Sequence, residues 1–224
     1  MAEPNKILRT MTLNGLRVFA DGNAQLAIAE REAPNAAGDF FQKLIESDFQ
    51  FAGKVTVRKS HAVADIQNIL EDEISDELKA DPFYPYWVMD MAKICQLFCD
   101  LEQSSKVGFW LGSKRGCSRY HIDNVPQRLL ITYAGIGTEW LPDEAVDRQA
   151  FSESKPLEHV IKDPSAIKYM QRWDVAIFKG GETGLLHRSP EAAMNEGSIL
   201  MRLDHAKFWD TIRNYEMQNA ALAS

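Results

Sequence analysis

From residue 106 onward the chain is a series of short apolar runs separated by glycine and proline, and that pattern leaves few folds open. The runs are 107–111 (VGFWL), 117–123, 128–133 (RLLITY), 135–141, 173–178 (WDVAIF), 185–188 and 198–204 (SILMRLD). Each is shorter than a stable helix requires, and turn residues such as Lys179-Gly180-Gly181 end them. Many short strands of this kind close into a sandwich or a barrel. The polar stretch 142–165 predicts no clear strand, and the pattern over 206–219 predicts a closing helix.

Before residue 105 the character differs. Segments 15–19 and 25–31 read as two short strands about an Asp21-Gly22 turn, and 49–57 reads as a third. Helical spacing is clearer. Phe40, Phe41, Leu44 and Ile45 share one face, and Val63, Ile66, Ile69, Leu70 and Ile74 recur at intervals of three and four with acids between them. Asp81-Pro82 can open a further helix whose buried stripe is Trp87, Met91, Ile94, Cys95 and Phe98. The expected fold is therefore α+β: a mainly helical region over 1–104, packed on a β core over 105–224 with a C-terminal helix.

Composition narrows the possible roles. Apolar residues make up 45% of 224, enough for a proper core. A net charge of −7 argues against nucleic acid, whose binding needs lysine and arginine to neutralise phosphates. No stretch approaches the roughly 20 apolar residues that span a bilayer. Cys95, Cys99 and Cys117 are too few and too odd in number for a disulfide framework, which points to the cytoplasm.

One constellation can carry chemistry. His121-Ile122-Asp123 lies in a strand-like run, where residues i and i+2 face the same way with Cα atoms about 6.5–7 Å apart. An imidazole and a carboxylate so placed can share one metal ion at about 2.0–2.2 Å. A third ligand must come from elsewhere, and His187, in a late strand-like run after a glycine turn, is the candidate. Two histidines and one carboxylate on one face suit non-haem Fe(II). Arg202 in the last strand can clamp a carboxylate bidentately, and Arg128 is a second cation able to face the cavity. Thr132 and Tyr133 follow on the next strand, where one of them can hydrogen-bond a bound acid. Cys117 shares strand parity with His121 and Asp123 and is a possible soft ligand, which would favour zinc. Glu139 is a possible partner for a ligand histidine.

The order His-x-Asp, Arg-Leu-Leu-x-Thr-Tyr, Gly-x-Gly-Thr-Glu-Trp, Asp-Val-Ala-Ile-Phe, His, Arg resembles the 2-oxoglutarate/Fe(II) oxygenases over about residues 105–205. The resemblance implies a double-stranded β-helix, a jelly-roll or cupin-like barrel. It implies His121, Asp123 and His187 as iron ligands, with Arg202 holding the far carboxylate of 2-oxoglutarate. Where that family often has a glycine two residues before the arginine, Leu200 stands here. The segment RYHIDNVPQRLLITYAGIGTEWLPDEAVDR also resembles an uncharacterised bacterial family, a domain of unknown function that neighbours zinc-homeostasis genes. Three readings follow: an Fe(II)/2-oxoglutarate oxygenase acting on a small molecule or protein, a zinc-holding barrel that is a hydrolase or serves metal homeostasis, and a metal-free barrel that binds a ligand or partner.

Overall fold

The computed structural model describes residues 7–20, 22–47, 49–50 and 55–208. Ten strands occur among them: β1 (Ile7–Thr10), β2 (Leu26–Ala29), β3 (Val55–Arg58), β4 (Lys106–Gly112), β5 (Gln127–Ala134), β6 (Glu139–Trp140), β7 (Lys168–Tyr169), β8 (Val175–Lys179), β9 (His187–Arg188) and β10 (Ile199–His205). Seven form one sheet in the order β1-β2-β8-β5-β10-β4-β3, and three form a second in the order β7-β6-β9. β1 and β2 pair in parallel, and the other strand pairs are antiparallel.

Strand parity divides the large sheet into two faces. Leu129, Ile131 and Tyr133 of β5 and Ile199, Met201 and Leu203 of β10 join a core with the helices. Leu130 of β5, Ala176 and Phe178 of β8 and Leu26 and Ile28 of β2 point the other way, where they pack with Trp140 and Leu185. Helices thus cover one face, and the small sheet covers the other. Both faces are buried, which is why these strands read as unbroken apolar runs.

The helical layer consists of α1 (Ala37–Glu46), α2 (Ala62–Leu70), α3 (Asp76–Lys79) and α4 (Phe83–Leu101). Each buries the face its spacing predicts: Phe40, Phe41 and Leu44 in α1, Ile66 and Leu70 in α2, and Trp87, Met91, Ile94, Cys95 and Phe98 in α4. Burying one such side chain contributes about 1.5–3 kcal/mol. Helical spacing over 63–78 is interrupted, because Ser75 starts α3 afresh by accepting the Leu78 N–H at 3.3 Å.

Several sequence expectations change here. The N-terminal half does more than pack on the sheet, since β1, β2 and β3 lengthen it at both edges. The expected strand at 15–19 is a 3-10 helix, Leu13–Phe19, opened by Thr12, whose hydroxyl accepts the Gly15 N–H at 3.2 Å. Its buried residues, Leu16 and Phe19, are three apart, matching three residues per turn. Asp21 of the expected turn and residues 51–54 of the expected third strand lie outside the described residues. Of the closing helix, residues 206–208 are helical and the rest lies outside the described residues. Among the described residues no helix is long and apolar enough to cross a membrane.

Candidate metal centre

Residues 117–123 do not form the expected strand. Polar Ser113, Lys114 and Arg115 with Gly116 break the pairing after β4, and only His121 re-enters a sheet, through a single bridge. His121 and His187 exchange both backbone bonds, each at 3.1 Å, and β9 pairs with β6 on its other side. His121 of the His-x-Asp segment is therefore tied directly to the strand that carries the second histidine. Asp123 is fixed by a glycine turn. Its carbonyl accepts the Gly181 N–H at 2.9 Å, and Gly180 donates to Pro126 O at 3.0 Å. The backbones approach so closely that a Cβ on residue 180 would lie 1.9 Å from Val125 O. Gly181 takes a φ of +74°, which favours glycine.

His121, Asp123 and His187 each offer one ligand atom, and these atoms lie within 4.8 Å of one another. Ligands on one face of a common ion stand about 3 Å apart at bonds of 2.0–2.2 Å, so the widest of these separations must close by well over 1 Å when an ion enters. Both imidazoles are set by local carbonyls. Nδ1 of His121 lies 2.9 Å from Arg119 O, and Nδ1 of His187 lies 3.1 Å from Leu185 O. A proton on each Nδ1 satisfies these carbonyls and leaves the Nε2 lone pairs turned inward. Nε2 of His187 is 3.3 Å from Asp123 Oδ2, and Nε2 of His121 is 3.8 Å from Oδ1. The closer contact lacks hydrogen-bond alignment, and Oδ2 is buried with no hydrogen-bond partner. An orphaned carboxylate oxygen facing two imidazole lone pairs is a cluster of electron pairs that a cation would satisfy. The residues present fit a divalent metal.

The electrostatics agree. Burial raises the pKa of Asp123, but contact with His187 and the positive charges that His187, Arg128 and His121 carry at the acid pH where the carboxyl titrates more than offset it and hold it at about 2. Burial, and His187 beside it, lower the pKa of His121, which favours the neutral ligand form. Arg128 Nη1 donates to Asp123 Oδ1, so one oxygen is engaged by protein and the other faces the histidines.

The site opens into a cavity of about 170 Å³. Arg128 and Arg202 both line it, as expected, but both are engaged with acid. Arg128 Nε donates to Asp204 Oδ1 at 2.7 Å, and Arg202 Nε donates to Asp204 Oδ2 at 2.6 Å. Tyr133 is a correction: it faces the helices, not the cavity. Its ring stacks on Phe41 at 5.7 Å, and its hydroxyl donates to Asp90 at 3.0 Å. Parity decides the matter, because Arg128, Leu130 and Thr132 share the cavity face and Tyr133 falls on the next position. Cys117 also lines the cavity, yet its thiol points to Arg119 O at 3.4 Å and is not among the converging ligand atoms.

Glu139 does not touch a ligand histidine. It accepts from the hydroxyl of Tyr120 and from Arg188 Nε at 2.8 Å, and so joins the residue before His121 to the residue after His187. Arg115, Thr138 and Ser189 were not foreseen. Arg115 is buried and contacts the hydroxyls of Thr132, Thr138 and Ser189. It sits in a polar turn sequence that reads as solvated, and no local signal marks it as internal.

A family model described as "Protein of unknown function (DUF1826)" matches residues 11–204. No curated protein matches the sequence. Among solved structures, the chain is similar to the Fe(II)/(alpha)ketoglutarate-dependent dioxygenase TqaL, at 13% identity and a TM-score of 0.43, with 86% of this chain and 85% of that one covered. It is similar to a putative oxygenase from Shewanella oneidensis, at 10% identity and a TM-score of 0.41, covering 96% and 99%. It is also similar to the non-heme alpha ketoglutarate dependent carbocyclase SnoK from nogalamycin biosynthesis, at 10% identity and a TM-score of 0.35, covering 80% and 78%. At such scores these likenesses decide nothing about the chemistry of this chain, which is read from its own atoms.

Proposed function

We propose that this chain, which belongs to the DUF1826 family, is a non-haem Fe(II)/2-oxoglutarate-dependent oxygenase. The observation that carries the reading is the convergence of His121, Asp123 and His187 around an orphaned carboxylate oxygen, at the edge of a cavity whose wall includes four arginines. Two histidines and one carboxylate leave positions for small molecules, the arrangement that suits Fe(II). When bound, Fe(II) with 2-oxoglutarate would supply the chemistry that uses dioxygen to oxidise a substrate, one oxygen atom entering the substrate and the other the succinate formed with carbon dioxide from 2-oxoglutarate.

The protein's own contributions follow from the geometry. His121 and His187 supply Nε2, with Nδ1 satisfied by backbone carbonyls. Asp123 supplies a single oxygen, because Arg128 engages the other. Four guanidinium groups against the three carboxylates that pair with them, Asp123, Asp204 and Glu139, leave the wall net positive, which favours an anionic co-substrate. The strand order supports a double-stranded β-helix over residues 105–205. Counted from β4, β4, β10, β5 and β8 are neighbours in one sheet and His121, β9, β6 and β7 are neighbours in the other, the chain changing sheet at every step except between β6 and β7. All three cysteines are free thiols, in keeping with a reducing cytoplasm.

Anaerobic addition of Fe(II) and 2-oxoglutarate should give a weak visible charge-transfer band, and exposure to air should form succinate even without the substrate. His187→Ala and Asp123→Ala should abolish both. Tightly retained zinc, no band and no succinate would overturn the proposal.

A further inference from the structure

Arg115 is buried without a counter-ion among the described residues. It follows β4 in a polar turn, yet its side chain is turned inward and the residue is 8% exposed. Among the described residues it forms no ion pair. Its nitrogens meet only hydroxyls, Thr132 Oγ1 at 3.2 Å, Thr138 Oγ1 at 3.4 Å and Ser189 Oγ at 3.4 Å. The other arginines of the wall each have a carboxylate: Arg128 has Asp123 and Asp204, Arg188 has Glu139, and Arg202 has Asp204. Taking a guanidinium out of water without a counter-charge costs several kcal/mol. Burial alone pushes the pKa of Arg115 down to about 10. A fold that offers this charge only neutral hydroxyls, and no counter-charge among the described residues, is arranged for an anion that arrives from outside.

We infer that Arg115, with the hydroxyls of Thr132, Thr138 and Ser189, binds a carboxylate of a small organic acid, and that it takes the role expected of Arg202. The planar guanidinium fork matches a carboxylate bidentately, and hydroxyls can donate to the remaining lone pairs. A single cation neutralises one negative charge, whereas phosphate brings more than one. The cavity of about 170 Å³ admits a short-chain acid. Ser189 lies two residues beyond His187 and contacts Arg115, so the anion site and the metal centre face one space. This inference rests on the proposed function only for the identity of the acid as a 2-oxo acid. The carboxylate site itself stands on Arg115.

Calorimetry and thermal denaturation of the full chain with Mn(II) present, against 2-oxoglutarate, glutarate and inorganic phosphate, test it. Electron paramagnetic resonance of the same samples reports Mn(II) binding separately. Both acids should bind and raise the melting temperature. Arg115→Met should weaken them at least tenfold while melting, without acid, at or above the wild type, because an unpaired buried charge is gone. Should that variant melt lower, Arg115→Lys decides, since it keeps the cation without the fork and should still bind more weakly. Arg202→Met should retain binding. Unchanged affinity in both Arg115 variants, loss of binding in Arg202→Met alone, tighter binding of phosphate, or no acid binding to Mn(II)-loaded wild type would each overturn the assignment. Acid binding without Mn(II) binding would sink the oxygenase reading and leave the Arg115 site standing.

Discussion

Replacing Glu139 by glutamine isolates what holds the two histidines in register. Glu139 is 2% exposed, and its Oε1 accepts from Tyr120 and from Arg188. Tyr120 precedes His121 and Arg188 follows His187, so one oxygen fastens both ligand-bearing segments. Glutamine keeps the shape and the acceptor but loses the charge. Arg188, whose side chain is 16% exposed, then lacks its counter-ion. A hydrogen bond to a charged group contributes about 1.5–3 kcal/mol, and breaking a buried ion pair costs about 3–5 kcal/mol. Partial exposure of Arg188 places the expected loss near the lower end of the second range, about 3 kcal/mol. Metal affinity should fall too, by less than the roughly 10- to 100-fold lost when groups hydrogen-bonded to metal ligands are removed, because Glu139 acts one residue away from each histidine. Urea unfolding of metal-free protein and Mn(II) titration of the folded protein measure the two effects. A Glu139→Gln protein that loses stability yet binds Mn(II) as tightly as wild type would refute the link between this carboxylate and the metal centre.

Three further outcomes are expected. Tyr133→Phe removes a hydrogen bond to Asp90, which keeps Arg31 at 2.6 Å, so stability should fall by about 1–2 kcal/mol in urea with succinate formation unchanged. Asp123 has a folded pKa of about 2, below its ordinary value near 3.9, so in metal-free protein its contribution is fully present above pH 3.9 and is lost as pH falls through 2. Asp123→Asn should therefore be less stable than wild type by roughly 2–3 kcal/mol at pH 7, with denaturation curves converging toward pH 2, and equal stability at pH 7 would count against this account. Gly180→Ala places a methyl against Val125 O and should cost at least about 1–3 kcal/mol and weaken Mn(II) binding by displacing Asp123.

The large sheet was legible because its strands are buried on both faces, so β4, β5, β8 and β10 stand out as apolar runs ended by glycine or polar turns. α1 and α4 were legible from single buried faces. β1 and β7 were not, because four and two residues give no readable alternation. The grouping of His121, Asp123 and His187 could be anticipated from donor chemistry, although His121 is held by one bridge and not by a strand. Tyr133 was misplaced because its residue type was weighed ahead of the parity that assigns the cavity face to Thr132. Arg115 escaped notice because burial of a cation is decided by chain reversal in three dimensions, which Gly112-Ser113-Lys114-Arg115-Gly116 does not announce.

Residues 142–167, between β6 and β7, build a small apolar cluster of their own from Ala145, Val146, Ala150 and Val160. That cluster also contains Tyr120 and Leu186, the immediate neighbours of His121 and His187 along the chain. A lineage that remodels this insertion to accept new cargo is consequently not free to vary it at will. Each change must preserve the footing of two imidazoles, so diversification there is coupled to upkeep of the centre it surrounds.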